Sequence, residues 1–327
     1  MTSLRNILVL VTAALTIGCV SGYSTSRPDS QQEKRVSADN TPEKIPIPFQ
    51  GTLHTDNPLV GHFWSVRENQ LVSWKDVLEQ IHTSDWLLLG ESHGVIDHQK
   101  MEDVFIQVLD RSDKLGAVAF EQLSEEQQPL ISPWLGKGNE VSGHDLAWHP
   151  DSWDWNTYVF PLSSALNGAK QVLALDPARE RVQQVYQESK SAKPLSGSYG
   201  VLMDGLIRQS HCNLLPDNMI DPMINVQSAK DRFMADVLNS ATTPGETGVA
   251  IMGYQHARKD YGVPLWLAND ITSTSILLQQ VTASADPSSY IYNPFEGRAI
   301  ADYIMFTPGH ESPDYCEQLK AGLSYHQ

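Results

Sequence analysis

Trp86-Leu87-Leu88-Leu89-Gly90-Glu91-Ser92-His93 and, much later in the chain, Val249-Ala250-Ile251-Met252-Gly253-Tyr254-Gln255-His256 follow one pattern. Each is a short apolar run, a glycine that lets the backbone turn sharply, and a histidine three residues past that glycine. In open α/β sheets the carboxyl ends of the strands border the ligand crevice. Two parallel strands built this way aim both histidines into one cleft.

Around these segments, short apolar runs alternate with amphipathic stretches, which is the signature of βαβ units. Met101, Val104, Phe105, Val108 and Leu109 recur at helical spacing, and Gly116 is expected to end that helix. Ala117-Val118-Ala119-Phe120 reads as the next strand, and Gln171-Val172-Leu173-Ala174-Leu175 as another, closed by Asp176-Pro177. Met223, Val226, Lys230, Phe233 and Val237 mark a helix face before the second echo, and Ser275 to Val281 and Tyr303 to Phe306 complete the sheet. The expected fold is α/β: a central, largely parallel or mixed sheet flanked by helices, with two equivalent strand-Gly-x-x-His loops.

The chain has 327 residues, 41% hydrophobic and 19% charged, enough to bury a large core. Its formal net charge of -16 argues against a nucleic-acid partner, which needs a basic surface. Residues 1–19 differ from the rest: Arg5 precedes an apolar run from Ile7 to Ile17, followed by Gly18 and Cys19. That run is shorter than the roughly 20 residues of a membrane span and reads as a secretory signal. The Gly18-Cys19 junction resembles a bacterial lipobox, with Cys19 lipidated, although Thr16 stands where leucine is favoured. An ordinary cleaved signal with a chance cysteine is the alternative. Val20 in place of an aspartate suggests sorting to the outer membrane. Residues 20–48, rich in polar residues and proline, are expected to be a disordered tether, and residues 49–327 the folded domain. With Cys19 lipidated, Cys212 and Cys316 remain in an oxidising compartment, and a disulfide is their natural pairing.

Several residues invite a chemical reading. Glu91, His93 and His98 place a carboxylate and two imidazoles in one loop, suited to metal ligation, acid–base work or contact with a haem. A solvated loop is the plain alternative. After His256 come Arg258 and Lys259, a local cationic pair able to hold an anionic group, or to form ordinary surface bridges. Tyr261 suits packing as well as ligation. Glu121 follows a buried strand, where an acid needs a partner. The aromatic segment of His144, Trp148, His149, Trp153, Trp155 and Tyr158 offers flat walls, yet such clusters more often form core.

Taken together, Leu89 to His93 with His98, Ala119-Phe120-Glu121 with Gln127-Gln128-Pro129, Trp153-Asp154-Trp155 with Tyr158, His211-Cys212 with Pro216, Gln227 to Ala235, His256 to Pro264, and Phe306-Thr307-Pro308 with Cys316 resemble the ChaN-like, haem-binding branch of the Tiki and erythromycin esterase superfamily. The likeness spans about residues 45–320. It implies a haem-binding lipoprotein of haem or iron uptake, a pocket shared by two protomers of a homodimer, and a haem receptor or transporter as partner. It also implies a tyrosine on the iron, with Tyr261 and Tyr158 ahead of Tyr254, and a histidine nearby. The haem site would draw on Glu91, His93, His98, Glu121, Tyr158, His256, Arg258 and Tyr261. The family usually has an acid directly after the first histidine, and this chain has Gly94, a departure toward the esterase branch. A hydrolase using Glu91, His93, Glu121 and His256 therefore stands as an alternative, and a non-catalytic envelope scaffold as another.

Overall fold

The computed structural model describes residues 42–190, 197–295, 297–311 and 316–317. The signal over residues 1–19, Cys19 and most of the tether lie outside the described residues. The last part of the expected tether, from residue 42, lies against the body. Ile45 is buried there, and its N–H donates to the Gly61 carbonyl.

In chain order the first half comprises β1 (Phe63–Ser65), β2 (Gln70–Val72), α1 (Trp74–Ile81), β3 (Trp86–Glu91), α2 (Ile96–Arg111), β4 (Leu115–Ser124) and α3 (Gln128–Ile131). The second half comprises α4 (Trp155–Gly168), β5 (Gln171–Asp176), α5 (Arg179–Ser189), α6 (Gly197–Ser210), α7 (Asp217–Ala241), β6 (Thr247–Gly253), β7 (Ser273–Gln280) and β8 (Tyr303–Thr307). One eight-stranded sheet runs β2-β1-β8-β7-β3-β6-β4-β5. The pairs β8-β7, β7-β3, β3-β6, β6-β4 and β4-β5 are parallel, while β1 is antiparallel to both its neighbours. This is the mixed, helix-flanked sheet expected. Two boundaries differ. Gly116 lies inside β4 instead of ending α2, which stops at Arg111, and β4 runs on past Glu121 to Ser124.

Strand alternation splits the core in two. Leu87, Leu89, Val249, Ile251, Ile276 and Leu278 face one side, with Ile81 of α1, Phe105 of α2 and Leu162 of α4. Trp86, Leu88, Ala250, Met252 and Leu277 face the other, covered by Met234, Ala235 and Leu238 of α7. Both faces are buried, so the central strands read as unbroken apolar runs. Gly248 is needed here, because a Cβ would stand 2.4 Å from the Trp86 ring. A third, smaller core joins Tyr186 of α5, Met203 and Ile207 of α6, and Ile220, Met223 and Ile224 of α7 to Tyr261. The helices α5, α6 and the first half of α7 thus form a cap with its own apolar centre.

Cys212, just after α6, is bonded to Cys316 near the carboxyl end, closing 104 residues of chain. In the chain-entropy account a loop of this length restricts the unfolded state by about 5 kcal/mol. Cys316→Ser should therefore lower the urea midpoint by a corresponding amount. An unchanged midpoint would show that the bond is not closed in the mature protein.

Candidate functional site

β3 and β6 are neighbours and β4 lies beside β6, so the carboxyl ends of the three strands form one rim. Register pairs Glu91 with Gly253, staggering the two echo segments by one residue. Alternation then sends Glu91 toward α2 and α4, and Glu121 toward α7. The two loops carry their histidines back over the rim between these acids.

Each imidazole is fixed by a carboxylate. His93 Nδ1 lies 2.7 Å from Glu91 Oε1, and His256 Nδ1 lies 2.5 Å from Asp231 Oδ1. Their other nitrogens flank Glu121: His93 Nε2 is 4.0 Å from Oε2, and His256 Nε2 is 3.7 Å from Oε1. Both Nε2 atoms are buried and have no hydrogen-bond partner among the described residues. The Gly253 N–H donates to Glu121 Oε2 at 2.7 Å, and Lys230 Nζ stands 3.5 Å from Oε1 and 2.9 Å from Asp176 Oδ1. A Cβ at Gly253 would lie 2.8 Å from His93 Nε2, so this glycine makes room for the ring. Trp153 meets His93 edge-on, with ring centroids 4.8 Å apart.

Glu91 is saturated with donors. Tyr158 Oη and Gln122 Nε2 each donate to Oε1 at 2.7 Å, and the Gln99 amide donates to Oε2. Glu102 is buried in the same region beside Glu91, where a protonated carboxyl can donate to the Glu91 carboxylate. Burial first, then the Glu91 charge, raises its pKa well above the carboxylate range. Gly94 has φ +73 and its N–H donates to Tyr158 Oη at 3.2 Å. An acid at this place would have to hold a left-handed backbone, at a cost of roughly 1 kcal/mol or more.

Charge balance sets the protonation of the centre. Burial alone would raise Glu121, but His256, Lys230, His93 and the Gly253 N–H outweigh it and hold the carboxyl at about 2. Burial would lower His93, yet the hydrogen bond and charge of Glu91, with Glu121, raise it. His256 is raised against burial by Glu121 and Asp231. The result is a buried network of imidazoles, carboxylates and one ammonium.

The structure brings Glu91, His93, Glu121 and His256 together, and assigns other places to the remaining expected residues. His98 is fully buried below the loop: the Ser92 N–H donates to its Nδ1 at 2.9 Å, and Nε2 meets Thr307 Oγ1 at 3.2 Å. It braces the turn and does not face a cleft. Tyr158 is 1% exposed, with its phenol spent on Glu91, so it is closed to a ligand as large as a porphyrin. Arg258 is not a free cation: Nε and Nη2 hold Asp260 at 2.9 and 2.7 Å, and Nη2 also donates to the Tyr292 carbonyl at 2.9 Å. Lys259 is bound to Asp302 at 2.7 and 2.9 Å. Tyr261 is buried beneath the Arg258 guanidinium, with its hydroxyl on Gln255. Asp231 and Gln122 escaped the sequence reading, and Lys230 passed as part of a helix face. Gln227, Lys230 and Asp231 share one buried face of α7, a polar patch on an otherwise apolar stripe, and that was the available signal.

Beside the buried centre lies an open cleft of about 710 Å³. Ser198 and Tyr199 of α6 line one wall, and Asp260, Leu265, Pro294, Phe295 and Arg298 line the rest. Tyr261 stands behind Phe295, ring centroids 6.4 Å apart. Burial and the Asp231 charge raise the Tyr199 phenol to about 12 against its hydrogen bond to Ser228.

The family model described as haem-binding uptake, Tiki superfamily, ChaN matches residues 77–267. The chain belongs to this family. The ChaN protein of Campylobacter jejuni, solved to show cofacial haem binding, is 20% identical, covering 74% of this chain and 95% of that one with a TM-score of 0.59. At that identity it shows the ChaN fold. An erythromycin esterase mutant in its open conformation is 11% identical over 77% of this chain and 84% of that one, with a TM-score of 0.40. The type III effector HopBA1 is 12% identical over 72% and 92%, with a TM-score of 0.37. A search of curated proteins finds no match.

The buried neutral imidazole of His98 generates a pH prediction. Burial lowers it from 6.5 to about 3, so its contribution is fully present above pH 6.5 and is lost as pH falls toward 3. In that window the loss is about 1.4 kcal/mol per pH unit. His98→Gln should flatten the acid limb of the stability curve between pH 6.5 and 4. Parallel limbs for variant and wild type would show that His98 is not held neutral.

Proposed function

We propose that this chain is a haem-binding lipoprotein of haem or iron uptake, anchored to the outer membrane through Cys19, with haem seated in the open cleft. The observation that carries the site is the cleft itself, because the tyrosines expected to hold iron, Tyr158 and Tyr261, are sealed in packing. Porphyrin binding asks for a space of a few hundred Å³, flat apolar walls and a donor for the metal. Leu265, Pro294 and Phe295 are the apolar part of a lining completed by the polar Ser198, Asp260 and Arg298, and Tyr199 is its tyrosine. A phenolate is a hard oxygen donor suited to ferric iron; burial and the Asp231 charge keep Tyr199 a neutral phenol up to about 12, so the metal itself has to displace its proton. His256 then acts from behind the cleft, through Asp231, whose charge reaches Tyr199. A second copy sharing the cleft, and a haem receptor or transporter, are the partners this reading expects.

The buried centre favours a second reading. Two imidazoles, each oriented by a carboxylate and each with an unpartnered Nε2 beside Glu121, are suited to acid–base activation of a water. The hydrolase reading rests on that geometry.

Haemin titrated into the purified chain should give a saturable, shifted absorption band. Tyr199→Phe should move that band and weaken binding by about tenfold or more, about 1.4 kcal/mol, while Tyr158→Phe leaves it in place. A folded wild type without saturable binding would end the haem reading. If His93→Ala and His256→Ala instead abolish an esterase or amidase turnover that Tyr199→Phe spares, the hydrolase reading takes its place. The address is checked separately by mass spectrometry: the mature chain should begin at a diacylated Cys19, and an unmodified start elsewhere would refute the anchor.

A further inference from the structure

Porphyrins of the haem class carry two carboxylates on one edge, and this chain carries a formal net charge of -16. Bringing such an anion to so acidic a protein requires a local positive site. Among the described residues that line the cleft, Arg298 alone is cationic. The one acid in the wall, Asp260, is neutralised by the two-point grip of Arg258. Lys259 is likewise spent on Asp302. The local balance over Arg258, Asp260 and Arg298 is therefore one positive charge facing the open space.

Arg298 is placed by the same residues that remove Arg258 from the site. Arg258 pins the Tyr292 carbonyl at 2.9 Å, the Asn293 side chain accepts the Phe295 N–H at 3.1 Å and donates to the Arg298 carbonyl at 2.6 Å, and Arg298 Nη1 donates to the Asp260 carbonyl at 3.2 Å. One guanidinium N–H is used to hold the side chain. Among the described residues no carboxylate pairs with its other donors. Pro294 and Phe295 line the cleft together with Arg298, so apolar side chains and the cation share one lining. That combination matches a planar apolar ring with carboxylates along one edge.

We propose that Arg298 is the specificity-determining residue of the cleft, and that through it the chain selects tetrapyrroles by their carboxylate edge. The site then takes iron-free porphyrin acids as well as haem. This rests on the haem reading of the cleft and extends it: the carboxylates give recognition and the iron adds to it. Arg258 is a positioning residue, acting through Asp260 and Tyr292.

The test uses the purified chain with three probes: haemin, protoporphyrin followed by its fluorescence, and protoporphyrin dimethyl ester, which lacks the charges. The wild type should bind protoporphyrin saturably, and Arg298→Gln should weaken both acids by about 10- to 100-fold, the loss of a charge-assisted contact. The dimethyl ester should bind wild type and Arg298→Gln alike, and Arg298→Lys should restore part of the affinity for the acids. Equal affinity of wild type and Arg298→Gln for protoporphyrin would overturn the proposal. So would a wild type that binds haemin and ignores the iron-free acid, with the haem reading left standing. A wild type that binds none of the three removes the haem reading, and this inference with it.

Discussion

The carboxylate of Glu121 ties the rim of the sheet together. It takes the Gly253 N–H where β6 ends, faces both unpartnered imidazole nitrogens, and meets Lys230 from α7. Removing such a charge from water costs several kcal/mol, and only a surrounding set of donors and cations offsets that cost. The chain supplies them from the ends of β3 and β6, the loops that follow, and α7, so this one anion ties α7 to both loops. Glu91 plays the matching part on the opposite face, where Gln99, Gln122, Tyr158 and His93 converge on it.

This network separates two regions that a reading of residue types merges. The histidines and acids form a closed polar centre, in which every ring has a fixed tautomeric partner and a fixed place. The open space lies beside it, between the helical cap and the segments that carry Asp260 and Phe295. Asp231 touches both, holding His256 on one side and acting on Tyr199 on the other. One carboxylate thus stands between the closed centre and the cleft tyrosine. The disulfide from Cys212 to Cys316 fastens the far end of α6, whose first turn carries Tyr199.

Burial explains why residues that look functional in a sequence turn out to be structural. Arg258 and Tyr261 stand in a run dense with charge and aromatic rings, yet the guanidinium stacks on the phenol and spends its N–H groups on Asp260 and Tyr292. His98 is neutral because burial, and then the charge of His310, disfavour its protonated form. Arg298 and Tyr199 lie in stretches with little pattern, and they become neighbours of one cleft only through the packing of the cap.

The sequence by itself determined the alternation of buried strands and amphipathic helices, the pairing of two strand-Gly-x-x-His segments, and the acids Glu91 and Glu121 that serve them. These follow from local rules, since periodicity shows which face is buried and a buried acid must have a partner. The family was legible too, because its motifs are short, ordered and tied to strand ends. The short β1 and β2, the stagger of Glu91 against Gly253, the joining of Asp231 and Lys230 to the centre, and the placing of Tyr199 and Arg298 on an open wall were decided only by tertiary structure. Each depends on contacts between residues far apart in the chain, and whether a tyrosine or an arginine is free for a ligand depends on what else comes to bind it.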